Sequence, residues 1–253
     1  MSLFETGLFC GHCMNQPCSC DNHKFYPIYF DMEFTGLHKY TTPISIGCIS
    51  QSGKTFYAEF LDFDNTQVDE WIHENVLENL VFKYNEVHPY ETTYKNGVKY
   101  ITIPDSPHNV QISTTRNFIK HALRKWLEIE SIYAGNKIIR MHSDCLAYDW
   151  MLFIDLLCED GEAIKLPEYI NYIPIDLSTL IWATGMDPDI SREWLGRHKD
   201  IPPEVYELLK TSEGTDLKHN SLWDAIIIKN CFEEIMKTRD RFENYTRFKL
   251  HLK

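Results

Sequence analysis

The sequence predicts an α/β domain with a mixed sheet flanked by helices, and three observations carry that expectation. Phe25 to Thr35, Pro43 to Ser50 and Lys54 to Asp62 are strand-like runs joined by short loops, which makes an antiparallel meander. Beyond them helical and strand patterns alternate, as they do where parallel strands join a sheet. Finally, 253 residues at 43% hydrophobic and 25% charged suffice for one main core.

Taken in order, residues 1–23 stand apart, because Cys10, Cys13, Cys18 and Cys20 crowd together with His12 and His23 beside them. Four thiolates in so short a span point to zinc, with a free-thiol tail or a site completed by His12 or His23 as the alternatives. Residues 24–253 form the main domain. Gly53 supplies the turn between the second and third strands, and Val68, Trp71, Ile72, Val76 and Leu80 have helical spacing. Residues 84–112 read as an insertion, with Asn96-Gly97 as the tight turn of a hairpin. A helix is expected from about Thr114 to Glu130, with Phe118, Ile119, Ala122, Leu123, Trp126 and Leu127 on one face. Then follow a strand at Lys137 to His142, a helix over Leu146 to Leu157, a strand at Ile173 to Leu177 and a helix over Ser221 to Lys237. No internal repeat interrupts this order.

Composition excludes several classes. No run approaches the ~18 apolar residues of a membrane span, and the start lacks the basic and apolar regions of a signal peptide, so a cytoplasmic protein without membrane contact is expected. Cys48, Cys145, Cys158 and Cys231 lie in apolar segments, as core thiols do. A net charge of −12 argues against nonspecific binding of long duplexes, which needs many Lys and Arg. An enzyme that grips a strand end through metal ions escapes that argument.

The chemistry concentrates in Phe30-Asp31-Met32-Glu33-Phe34-Thr35-Gly36-Leu37. On a strand, Phe30, Met32 and Phe34 would face the core while Asp31, Glu33 and Thr35 point together into a cleft. Two neighbouring carboxylates repel unless a cation lies between them, and a hard ion such as Mg²⁺ or Mn²⁺ suits oxygen donors. Asp149 falls in the first turn of the helix over Leu146 to Leu157, with Asp144 before it as an N-cap or substitute ligand. His219-Asn220-Ser221-Leu222-Trp223-Asp224 leads into the last helix. Asn220 or Ser221 can cap it, which leaves His219 on the preceding loop and Asp224 in the first turn.

Asp31, Glu33, Asp149, His219 and Asp224 form an ordered set, and on it the chain resembles the DEDDh 3′-to-5′ exonucleases, whose fold is ribonuclease-H-like. The Asp-x-Glu-x-Thr-Gly motif is complete in Asp31, Glu33, Thr35 and Gly36, and Asn220 at the alternative position excludes a Tyr-type variant. Ile175 to Leu180 is similar to a segment of oligoribonuclease-like members. Ile44 to Gly47, Gly53, Tyr57-Ala58, Phe63-Asp64 and Trp71 to Leu80 are similar to small stand-alone bacterial exoribonucleases. The likeness covers roughly residues 25–237 and departs at the cysteine-rich start and the hairpin.

The resemblance implies hydrolysis of RNA from its 3′ end to nucleoside 5′-monophosphates by a two-metal mechanism. Asp31, Glu33, Asp149 and Asp224 would hold Mg²⁺ or Mn²⁺, with Asp31 bridging both ions and His219 as general base. Thr35, Gly36 and Leu37 would meet the terminal nucleotide, and Tyr148 and Trp150 are further stacking candidates, or core residues. Members are often dimers, so a homodimer is an expected assembly. The cysteine-rich start, with zinc, would dock a partner or RNA. Single-stranded DNA is the rival substrate, and a noncatalytic scaffold of the same fold is the rival class.

Overall fold

The computed structural model describes residues 24–87, 91–95, 98–102, 109–158, 165–196, 201, 203–211 and 217–250. The cysteines at positions 10, 13, 18 and 20, and the zinc expected on them, lie outside the described residues. Six strands form one sheet: β1 (Phe25–Phe34), β2 (Pro43–Ser50), β3 (Thr55–Phe60), β6 (Asn109–Thr114), β7 (Ile138–Ser143) and β8 (Ile175–Asp176). Their order is β6-β3-β2-β1-β7-β8, antiparallel through β1, β2 and β3 and parallel at β3–β6, β1–β7 and β7–β8. The protein is thus α/β with a mixed sheet. Strands β4 (Glu91–Lys95) and β5 (Val98–Thr102) pair by themselves as the expected hairpin.

Helices α2 (Arg116–Tyr133) and α3 (Leu146–Leu157) cover one face. Ile119, Leu123, Trp126 and Leu127 of α2 and Phe153 of α3 are fully buried there, packed with Ile28, Phe30 and Phe56. Phe118 stays 38% exposed, at the margin of the stripe. The other face is closed by α7 (Ser221–Leu250), whose Leu222, Ile226 and Phe232 pack with Tyr29 and Tyr57. Short helices α4 (Leu177–Ala183), α5 (Arg192–Gly196) and α6 (Pro203–Leu208) lie between α3 and α7 in the chain. Among the described residues, no helix is long and apolar enough to cross a membrane.

Several expectations are corrected. The helix expected over residues 68–80 is broken: α1 (Glu70–Asn75), capped by Asp69, gives way at Val76 to a 3₁₀ turn at Leu77–Asn79. The insertion is shorter than expected, because Asn109–Thr114 pairs with β3 as the sheet edge β6. Alternation of Val110, Ile112 and Thr114 with Gln111 and Ser113 carries that signal, which the aromatic hairpin beside it obscured. The strand expected at 173–177 shrinks to Ile175–Asp176, because Asp176 caps α4 through Thr179 N–H at 3.0 Å. Cys48 and Cys231 are buried thiols, but Cys145 is exposed and Cys158 half-buried. Cys145 occupies the N-cap of α3, where the chain turns out of the sheet.

Candidate metal and active site

The site is built at the C-terminal end of β1 by close approach of three elements. Asp31 pairs with Gly47 of β2, and Glu33 with Ser45. A Cβ on Gly47 would lie 2.2 Å from the backbone N of Leu222, so only glycine lets the start of α7 sit against β2 there. Ser45 and Ser221 Oγ, 2.9 Å apart and buried, lock that contact. Asn220 caps α7: its Oδ1 accepts from Leu222 N–H at 3.2 Å and Trp223 N–H at 3.3 Å. Its Nδ2 donates to Asn79 O at 2.9 Å. Asp224 then falls in the first turn of α7, beside β1.

His219 precedes that cap with φ +66°, a left-handed conformation uncommon outside glycine. Its backbone N–H donates to Asp224 Oδ2 at 2.8 Å, and its ring meets the Trp71 ring edge-on at 5.1 Å. One ligand atom from each of Glu33, His219 and Asp224 lies within 4.8 Å of the others. Asp149 comes from α3, which follows β7 directly. It is 2% exposed and accepts a hydrogen bond from the hydroxyl of Ser143.

Asp31, Glu33, Asp149 and Asp224 therefore meet in one cleft of about 230 Å³, also lined by His219, Asp144, Arg192, Glu193 and Lys218. Burial holds the Asp31 carboxyl well above its usual range, and the charges of Asp149, Glu33, Asp224 and Asp144 push it further. Glu33 is raised in the same way, by burial and then by Asp224 and Asp149. Burial also lifts Asp149 to about 7, against hydrogen bonds from Ser143, Met32 and Cys145 that favour its charged form. Among the described residues, no Lys or Arg side chain pairs with Asp31, Glu33 or Asp149. An all-oxygen donor set that repels itself suits a hard divalent cation.

A second hollow, of about 460 Å³, adjoins this cleft and shares Glu33, Phe34 and His219 with it. Gly36, Leu37, Trp71, Ile72 and Val76 line it, and Leu37 is 75% exposed. Two expected site residues differ from expectation. Thr35 is buried: it donates to Gln67 Oε1 at 2.5 Å and accepts from Thr42 N–H at 2.9 Å. β1 ends at Phe34, so Thr35 lies beyond the strand's alternation, and of the three polar residues only Asp31 and Glu33 line the cleft. Asp144 is not the N-cap of α3; it pairs with Arg192, Nε to Oδ2 at 2.7 Å and Nη2 to Oδ1 at 2.9 Å. Of the aromatic neighbours, Trp150 stacks on Phe153 and Tyr148 on Phe34.

Sequence reasoning missed Arg192, Glu193 and Lys218 at the rim, since none belongs to a motif. It also passed over Gly47 as the residue that admits α7, although glycine within an otherwise apolar strand is a sign of close backbone approach. No family model and no curated protein matches the chain.

Proposed function

We propose that the protein is a metal-dependent 3′-to-5′ exonuclease of the DEDDh kind, with a ribonuclease-H-like sheet, acting on RNA ends to release nucleoside 5′-monophosphates. The observation that carries this reading is the convergence of Asp31, Glu33, Asp149 and Asp224, from three separate elements, around one cleft with His219 at its edge. The donor set fits Mg²⁺ or Mn²⁺. Such ions, when bound, supply charge neutralisation to the scissile phosphate and the leaving 3′ oxygen.

The chain's own residues supply the rest. Asp31, Glu33 and Asp224 would hold the cation, and Asp149, oriented by Ser143, would complete the set. Burial and the neighbouring Lys218 lower the His219 pKa, which keeps its ring neutral at pH 7 and able to accept a proton from the attacking water. The edge-on contact with Trp71 orients that ring, and the bond from the His219 backbone to Asp224 fixes where the residue stands. Leu37, Trp71, Ile72 and Val76 offer an apolar surface beside the acids for the terminal base. Preference for RNA rests on the resemblance to exoribonucleases.

The test incubates the purified protein with matched 5′-labelled RNA and DNA oligonucleotides in Mg²⁺, Mn²⁺ or chelator, beside Asp31→Ala. A metal-dependent ladder shortening from the 3′ end of RNA and absent in the variant is the expected result. A ladder on DNA alone replaces RNA by DNA as substrate. No cleavage of either strand with either metal, by protein that binds the ions, overturns the reading in favour of a scaffold.

A further inference from the structure

The cleft contains more carboxylates than the four assigned above. Asp144 and Glu193 line it too, each within reach of a basic side chain, Arg192 for the first and Lys218 for the second. Lys218 Nζ lies 4.0 Å from Glu193, a loose contact at the rim. Asp144 is held far more firmly. Arg192 grips both its oxygens in the fork geometry that guanidinium alone provides, and Ser178 Oγ donates to Asp144 Oδ1 at 2.9 Å. Arg192 Nη2 also donates to Ser178 Oγ at 2.8 Å and to Pro188 O at 2.7 Å, and Nη1 to Ile190 O. The guanidinium thus joins the end of β7, the first turn of α4 and the loop before α5. Its own helix is held against α7, where a Cβ on Gly196 would lie 3.0 Å from Ile227 O.

We propose that Arg192 is a positioning residue of the metal centre, which keeps the fifth carboxylate, Asp144, out of the coordination of the divalent ion held by Asp31, Glu33, Asp149 and Asp224. The proposal rests on the assignment of that cleft as a cation site and concerns which carboxylates can reach the ion. Asp144 belongs to the same cleft, and its charge is felt at both Asp31 and Asp149. Were the guanidinium removed, Asp144 would keep only the Ser178 hydroxyl bond and stand as an uncompensated anion lining the cleft that holds the ion. An added hard ligand tightens binding and fills a position that substrate phosphate must take. Arg192 therefore trades ion affinity for an open coordination position.

The test measures Mn²⁺ affinity of the full-length protein by electron paramagnetic resonance of free Mn²⁺, with turnover on a labelled RNA read separately. Arg192→Ala is expected to bind Mn²⁺ about tenfold more tightly and to turn over about tenfold more slowly. Arg192→Lys, which keeps charge without the fork, should fall between. Adding Asp144→Asn to Arg192→Ala should return Mn²⁺ affinity to within about twofold of the wild type, a reversal that general loosening would not produce. Unchanged or weaker binding by folded Arg192→Ala, or no reversal in the double variant, overturns the proposal. Should Arg192→Ala fail to fold, the single Asp144→Asn decides. Wild-type affinity supports the proposal, whereas a loss as large as that of Asp149→Asn makes Asp144 a ligand and overturns it. Because binding is read without turnover, the affinity pattern can hold even if no oligonucleotide is cleaved, and the nuclease reading then fails alone.

Discussion

The two faces of the sheet are built on different principles. Against α2 and α3 the side chains are large, apolar and interleaved, with Phe30, Phe56, Trp126 and Phe153 fully buried. Against α7 apolar packing continues through Ile226 and Phe232, but at the start of the helix, beside the acids, the contact is closer and more polar. Gly47 admits backbone, Ser45 meets Ser221, and Asn220 reaches Asn79. Tyr57 OH donates to buried Glu59 at 2.8 Å on the same side. A face filled with aromatics gains free energy from burial and tolerates small adjustments. A contact built on glycine and hydrogen bonds leaves less room for adjustment. The acids at the end of β1 depend on the second kind of contact.

The largest expected effect lies in the site itself. Asp31→Ala should lower turnover by ~10³-fold or more while the protein stays folded, read by oligonucleotide cleavage and circular dichroism. His219→Ala should cost roughly 10²–10⁴-fold with little loss of ion affinity. On the aromatic face, Trp126→Ala should destabilise by about 3–5 kcal/mol in urea titration and leave the ion affinity of the folded fraction unchanged. Gly47→Ala should break the contrast from the other side. It is expected to cost about 1–3 kcal/mol and to reduce turnover beyond what the unfolded fraction explains, because α7 must shift. A wild-type rate for Gly47→Ala would show that this face is no more exacting than the first.

The smallest effects separate the faces by pH. His142, buried among Tyr29 and Phe232, is lowered to about 4 by burial. The unfolded chain takes up that proton below about 6.5, so stability from His142 is complete above 6.5 and falls as the pH drops toward 4. Asp149 has the opposite sign: raised to about 7, it is easier to protonate folded than unfolded. Without divalent ions its contribution therefore improves as the pH falls from 7 toward 4. Thermal melts in chelator should accordingly show Asp149→Asn melting a few degrees above wild type at pH 8, with the gap closing by pH 5. A gap that widens toward acid would contradict this account.

Much of the fold was legible because its signals are local. Helix α3 falls at Leu146–Leu157 as its apolar run predicts, and the meander strands lie where alternation and Gly53 put them. The hairpin around Asn96-Gly97 pairs Lys95 with Val98, as a two-residue turn requires. Strand β6 was missed because its identity depends on β3 beside it. Within the site, Asp31 and Glu33 were legible from spacing on one strand, and Asp224 from its place after a cap. Thr35 was misread, because β1 ends at Phe34 and the partners that bury Thr35, Gln67 and Thr42, come from other parts of the chain.

By itself the sequence determined which acids and which histidine are candidates for chemistry and which elements hold them, since residue type and periodicity within one element are short-range properties. Only the tertiary structure decided which acids are paired. Asp144 and Asp149 lie five residues apart in one connection, yet Arg192, 48 residues beyond Asp144, takes the first and burial against β1 takes the second. Charge compensation acts through space over a few ångströms, and the sequence records distance only along the chain.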